Sequence, residues 1–171
     1  SVAGGKLAPL TIAAGSAVRV TNAYQYGHTG EYYDLVSGSD VSWGTSGNIV
    51  QWTKAKVYYV KEPGAGTLEV FVNGVGVGSV SAASSTIELG VLSLDNVNPT
   101  ATSATGTSLR TTTTGGGVKV IYLTTCLTNA NGVWHLDAAL GGLSLNQAMQ
   151  TATGRAITQE MIRDFAPDVL W

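Results

Sequence analysis

The sequence predicts a mainly β protein: a β-sandwich or jelly roll, followed by a partial α/β segment. Short stretches with apolar residues at every second position recur between turn residues, and no helical period is present before residue 140. The stretch 54–81 shows this alternation most plainly. From Gly132 onward the grammar changes to a strand, a glycine turn, a helix and an apolar end. The boundaries that follow are a linker over 1–5, a sandwich over 6–128 and an α/β segment over 129–171.

Residues 1–5 are small and read as a flexible end. Leu10-Thr-Ile-Ala-Ala-Gly-Ser-Ala-Val-Arg-Val-Thr21 reads as two short strands around a turn at Gly15. Residues 22–38 hold Tyr24, Tyr26, His28, Tyr32 and Tyr33 among glycines, too irregular for a strand, and read as an aromatic loop. Aromatic rings on a loop can stack on the C–H faces of a sugar while nearby polar groups take its hydroxyls. Equally, such rings can pack a loop onto the sandwich, and both readings stand. His28 is alone and reads as a structural hydrogen-bonding group. Residues 40–52 add Trp43 and Trp52 around glycine-rich turns, one ring expected in the core and one exposed.

In Lys54-Ala-Lys-Val-Tyr-Tyr-Val-Lys61, Ala55, Val57 and Tyr59 share one strand face. Lys54, Lys56, Tyr58 and Val60 share the other, which predicts a wet or half-wet side. Pro63, Gly64 and Gly66 stop the strand, because proline lacks a ladder donor and glycine admits positive φ. A second β-rich run then reaches Asn73-Gly74, the signal of a tight type I′ turn. Two antiparallel hairpins are expected here. Further strands follow at 86–94, 107–114 and 118–125, separated by Asn96-Val-Asn-Pro99 and Gly115-Gly-Gly117. The series amounts to about seven to nine strands, as in a sandwich or jelly roll.

The C-terminal part reads differently. Gly132-Val-Trp-His-Leu-Asp-Ala-Ala-Leu-Gly-Gly-Leu-Ser-Leu145 is a strand entering a glycine turn, with Ser144 as a candidate helix N-cap. Ile157, Met161, Ile162 and Phe165 recur at helical spacing. Ala166-Pro-Asp168 ends that helix, and Val169-Leu-Trp171 begins an apolar strand that stops. Strand, helix, strand is the βαβ pattern of a parallel sheet.

Composition narrows the function classes. Only 12% of residues are charged, against roughly 25% in ordinary globular domains. Ser, Thr and Gly fill the vacated surface, as suits an extracellular or virion β protein. A net charge of −2 leaves no basic footprint, so no nucleic-acid partner is expected. The lone Cys126 excludes an intrachain disulfide and reads as a small buried hydrophobe. No apolar run is long enough for a membrane helix and no signal peptide opens the chain. That predicts a virion protein assembled in the cytoplasm or a trimmed mature fragment. No loop has acidic spacing suited to calcium, so no metal and no cofactor are expected.

Three matches carry a family resemblance. Val57-Tyr-Tyr-Val-Lys-Glu-Pro-Gly-Ala-Gly-Thr-Leu-Glu-Val-Phe-Val-Asn-Gly74 resembles the signature of a jelly-roll, carbohydrate-binding-like module inserted in SGNH-type esterases, among them peptidoglycan O-acetylesterases and phage tail-spike deacetylases. Leu140-Gly-Gly-Leu-Ser-Leu145 and Phe165-Ala-Pro-Asp-Val-Leu-Trp171 resemble the hydrolase segments that follow that module, in the same order. The resemblance covers about residues 50–171. It implies that Gly142, with Gly141 next, offers a backbone N–H to an oxyanion hole.

The departures are as informative. The chain has no Gly-Asp-Ser nucleophile motif and no Asp-x-x-His pair, and it stops before the family's catalytic asparagine. Alone it is expected to be inert, since an oxyanion donor without nucleophile and base does little chemistry. Three hypotheses follow. The first is a polysaccharide-binding module of a phage tail or cell-surface esterase, with Tyr24, Tyr26, Tyr32, Tyr33, Trp43 and Trp52 as the sugar-binding rings. The second is a fragment of an active carbohydrate O-acetylesterase that contributes Gly142 to a composite site. The third is a structural virion sandwich that binds no glycan. A homotrimer is suggested only by analogy with tail fibres.

Overall fold

The computed structural model describes residues 11–20, 26, 32–43, 54–72, 74–95, 107–111, 115–126 and 151–166. Alternation dictates ten strands among them: β1 (Thr11–Ala14), β2 (Ala17–Val20), β3 (Tyr32–Leu35), β4 (Asp40–Trp43), β5 (Lys54–Lys61), β6 (Thr67–Val72), β7 (Val75–Ser81), β8 (Glu88–Leu94), β9 (Thr107–Thr111) and β10 (Val118–Cys126). One helix, α1 (Ala152–Phe165), completes the described elements. The protein is mainly β and sandwich-like. A front sheet has the order β1-β4-β9-β6-β7 and a back sheet the order β2-β3-β10-β5-β8.

The pairing follows one rule. β6 pairs with β7, β5 with β8, β4 with β9 and β3 with β10, all antiparallel. These are the rungs of one long ribbon whose tip is the turn at Gly74. The ribbon is folded over so that β10 also pairs with β5, and β9 with β6. β1 and β2 extend the two sheets beside β4 and β3. Gly15, at φ +70°, turns the chain between them. A Cβ there would lie 2.7 Å from Ser39 Cα, and the buried Ser39 hydroxyl donates to the Ser16 carbonyl at 2.7 Å.

The stretch 54–81 holds one hairpin, not two. β6 and β7 form it, with Gly74 at φ +80° in a two-residue turn between Val72 and Val75. β5 and β6 lie in different sheets. Ala65 N–H donates to the Glu62 carbonyl at 3.3 Å, with Pro63 at the second position and Gly64 at φ +79° at the third, which is a type II turn. That turn carries the chain from back sheet to front sheet. It is tied down by Gly66 N–H to Gly117 O and Ala82 N–H to Gly66 O, so its donors are satisfied across the sandwich and not by a hairpin ladder.

The inner faces meet in one core. Leu35, Val57, Tyr59, Val118 and Val120 from the back sheet pack with Val41, Leu68, Val70 and Val72 from the front. The outer face of the back sheet is covered as well. Tyr58, Val60, Ile121 and Tyr122 share a second buried cluster with Tyr26, Tyr32, Ile157 and Met161, so α1 lies on this face. The expected wet side of β5 is therefore dry at Tyr58 and Val60, each at most 1% exposed. A shift of register between Val120 and Tyr122 puts Ile121 and Tyr122 both on this face. α1 starts at Thr151, whose side chain accepts from Gly154 N–H at 2.9 Å. It ends at Ala166 in the left-handed region, where the Ala166 N–H reaches the Ile162 carbonyl. The Thr158 hydroxyl is buried beneath the helix with no hydrogen-bond partner among the described residues, a cost of about 1–3 kcal/mol that the docked apolar residues offset.

The strand and glycine turn expected over 132–145, with Gly141, Gly142 and Ser144, lie outside the described residues, as do His28 and the apolar run at 169–171.

Candidate functional site

Two sets of polar side chains on the outer face of the back sheet combine partial burial with ion pairing. The first is where the last turn of α1 meets β5. Lys56 Nζ donates to Asp164 Oδ2 at 2.8 Å and to the Asp164 carbonyl at 3.3 Å, and the Tyr58 hydroxyl donates to the same Oδ2 at 2.8 Å. A carboxylate near a helix C-terminus faces the negative end of the helix dipole, so it needs such donors. Burial works against ionisation of Asp164, but the Lys56 and Tyr58 hydrogen bonds outweigh it and hold its pKa below the usual carboxylate value. Burial pushes the Tyr58 hydroxyl up, and its bond to Asp164 pushes it further, so it stays a donor.

A depressed folded-state pKa contributes stability that is complete above the unfolded value of about 4 and is lost as pH falls through the folded value. Asp164→Asn should therefore lower stability near pH 7 by about 1 kcal/mol, a modest figure because the Asp164 side chain is 34% exposed. The deficit should shrink toward zero below about pH 4, where the wild type has lost the same contribution. Thermal melts of both proteins at pH 7 and pH 3 check this; a deficit equal at both pH values would show that the carboxylate charge is not what holds the helix.

The second place is the far end of the same face. Lys119 on β10 is ion-paired with Glu62, which follows β5, and both side chains are about four-fifths buried. Burial disfavours the Lys119 ammonium, yet its hydrogen bond and attraction to Glu62 dominate and raise its pKa. Asp34 on β3 is the cross-strand partner of Lys119. Tyr26 and Tyr32 sit beside them edge to face, ring centroids 5.2 Å apart. Burial raises both phenol pKa values, and Glu62 and Asp34 add to the rise.

The sequence-predicted sugar-binding rings scatter. Tyr32 and Tyr33 are on β3 and not in a loop, so strand alternation sends Tyr33 into the inner core and Tyr32 to the outer cluster. Tyr26, Tyr32 and Tyr33 are each 8% exposed, and all three pack within the two buried clusters. Trp43 is the last residue of β4, opposite Thr107. Tyr24, Trp52 and Gly142 lie outside the described residues. Lys56, Tyr58, Lys119, Glu62 and Asp34 were not singled out by sequence; the four-residue apolar run 57–60 was the available signal that both faces of β5 are covered.

Among the described residues no three His, Cys, Asp or Glu side chains converge on a point that could hold a metal ion. No described helix is long and apolar enough to cross a membrane. No protein-family model matches the chain, and no curated protein matches it either.

Proposed function

We propose that the chain is a jelly-roll module that holds a polysaccharide, joined to the core of an SGNH-type esterase of a phage tail or cell surface. The observation that carries this reading is the strand order. A ribbon with rungs 6/7, 5/8, 4/9 and 3/10, rolled so that its last strands insert between earlier ones, supports a jelly roll over other sandwiches. The hydroxyl-rich, weakly charged composition and the motif resemblance point the same way, toward a glycan-binding role. Catalysis belongs to groups outside the given sequence, and Gly142 contributes an oxyanion-hole N–H only where another segment completes the site. With Tyr26, Tyr32 and Tyr33 used for packing, Tyr24, Trp43 and Trp52 are the rings left to stack on sugar.

The test is a pull-down of the chain on insoluble peptidoglycan and on an acetylated bacterial polysaccharide, repeated with Tyr24→Ala, Trp43→Ala and Trp52→Ala. At least one variant should bind about tenfold more weakly, since loss of an aromatic anchor is commonly worth more than a factor of ten. Absence of binding by the wild type to any glycan would favour the structural sandwich. That second reading already has one observation behind it, the consumption of three tyrosines in packing.

A further inference from the structure

We propose that the surface around Asp34 is a contact point for one neutral, hydroxyl-rich saccharide unit; this rests on the glycan-binding reading above. Asp34 lies between Tyr33 and Leu35, both of which point into the inner core, so its own side chain stands on the outer face of the back sheet. It is partly exposed, and its carboxylate accepts no hydrogen bond and forms no ion pair among the described residues. Lys119 is directly across from it on β10 but is engaged by Glu62. Paired with Glu62, the lysine does not occupy the Asp34 oxygens.

On the other side Asp34 is directly opposite Val18 of β2, which is 54% exposed. Val36, two residues along from Asp34, is 43% exposed and is held beside β2 by its N–H bond to the Ser16 carbonyl. The row Val18, Asp34, Lys119 thus crosses three adjacent strands, about 10 Å in all. Its chemistry is an apolar shelf, an open acceptor and a held cation. A pyranose ring needs that combination: C–H groups to lie on the valines and adjacent hydroxyls to donate to the two carboxylate oxygens. Because Lys119 is already paired with Glu62, Asp34 is the unbalanced charge of the row, and an anionic sugar would be repelled by it.

The experiment uses the full chain with ¹³C-labelled valine methyls, titrated with methyl glycosides of glucose, galactose, mannose and N-acetylglucosamine. Binding is read at the same time from the ligand by saturation transfer. With at least one glycoside, the Val18 and Val36 methyls should shift saturably, and Asp34→Ala should weaken that binding by about tenfold or more. Val18→Ser should weaken it as well, while Asp164→Asn, at the other end of the face, should not. If ligand signals report binding but Val18 and Val36 stay still and Asp34→Ala binds as the wild type does, this site is wrong and glycan recognition stands elsewhere on the module. If no glycoside and no polysaccharide binds, the glycan-binding reading fails and this site with it.

Discussion

Replacing Gly90 by alanine is expected to destabilise the protein by about 1–3 kcal/mol, although the same exchange in an ordinary strand is neutral or stabilising. Gly90 is on β8, an edge strand of the back sheet, and is directly opposite Tyr59 on β5. The Tyr59 ring lies over the glycine, in the volume a Cβ would take, and Tyr59 is 1% exposed. An aromatic ring lying across an edge glycine is a known device for pinning register. The added methyl must push the ring out of its rotamer or separate the strands. Urea unfolding of Gly90→Ala in two backgrounds decides the cause. Beside Tyr59 the change should destabilise. In Tyr59→Val, itself weakened by the cavity it leaves, the same change should be neutral or favourable. An equal loss in both backgrounds would mean that the ring is not responsible.

Ile157→Asp should release α1 from the back sheet. Ile157 and Met161 are each 1% exposed in the cluster with Tyr58, Ile121 and Tyr122, and burial of each is worth about 1.5–3 kcal/mol. A carboxylate at that position has no described partner and cannot stay charged there. The helix should undock, exposing aromatic surface. The melting temperature should fall by about 10 °C, with new binding of a hydrophobic dye such as ANS. A variant melting within about 2 °C of the wild type, with no dye binding, would show that the helix adds little to the sandwich.

Much of this architecture was legible in the residues. Alternation located β5, β6, β8 and β10, Gly15 and Asn73-Gly74 marked turns, and the spacing of Ile157 and Met161 marked a helix with one buried face. What failed was information about distant partners. Pro63-Gly64 reads the same whether the chain returns beside itself or crosses to another sheet, because the local turn is identical; only the bonds from Gly66 and Ala82 distinguish them. Tyr32 and Tyr33 looked like loop rings because two consecutive tyrosines break the polar alternation. They sit on a strand covered on both faces, where alternation has no polar side to show. Tyr58 and Val60 misled for the same reason. The partners of Asp164 were invisible, since its contact with Lys56 joins residues 108 positions apart.

The nested rungs also dictate an order of assembly. Only the β6–β7 rung closes over a two-residue turn. Every other rung brings together segments that start far apart, and it becomes cheap in chain entropy only after the rung inside it has formed. Folding should therefore zip outward from Gly74 through 5/8 and 4/9 to 3/10, with α1 docking last. Changes at the tip would then slow folding, whereas changes under the helix would mainly hasten unfolding.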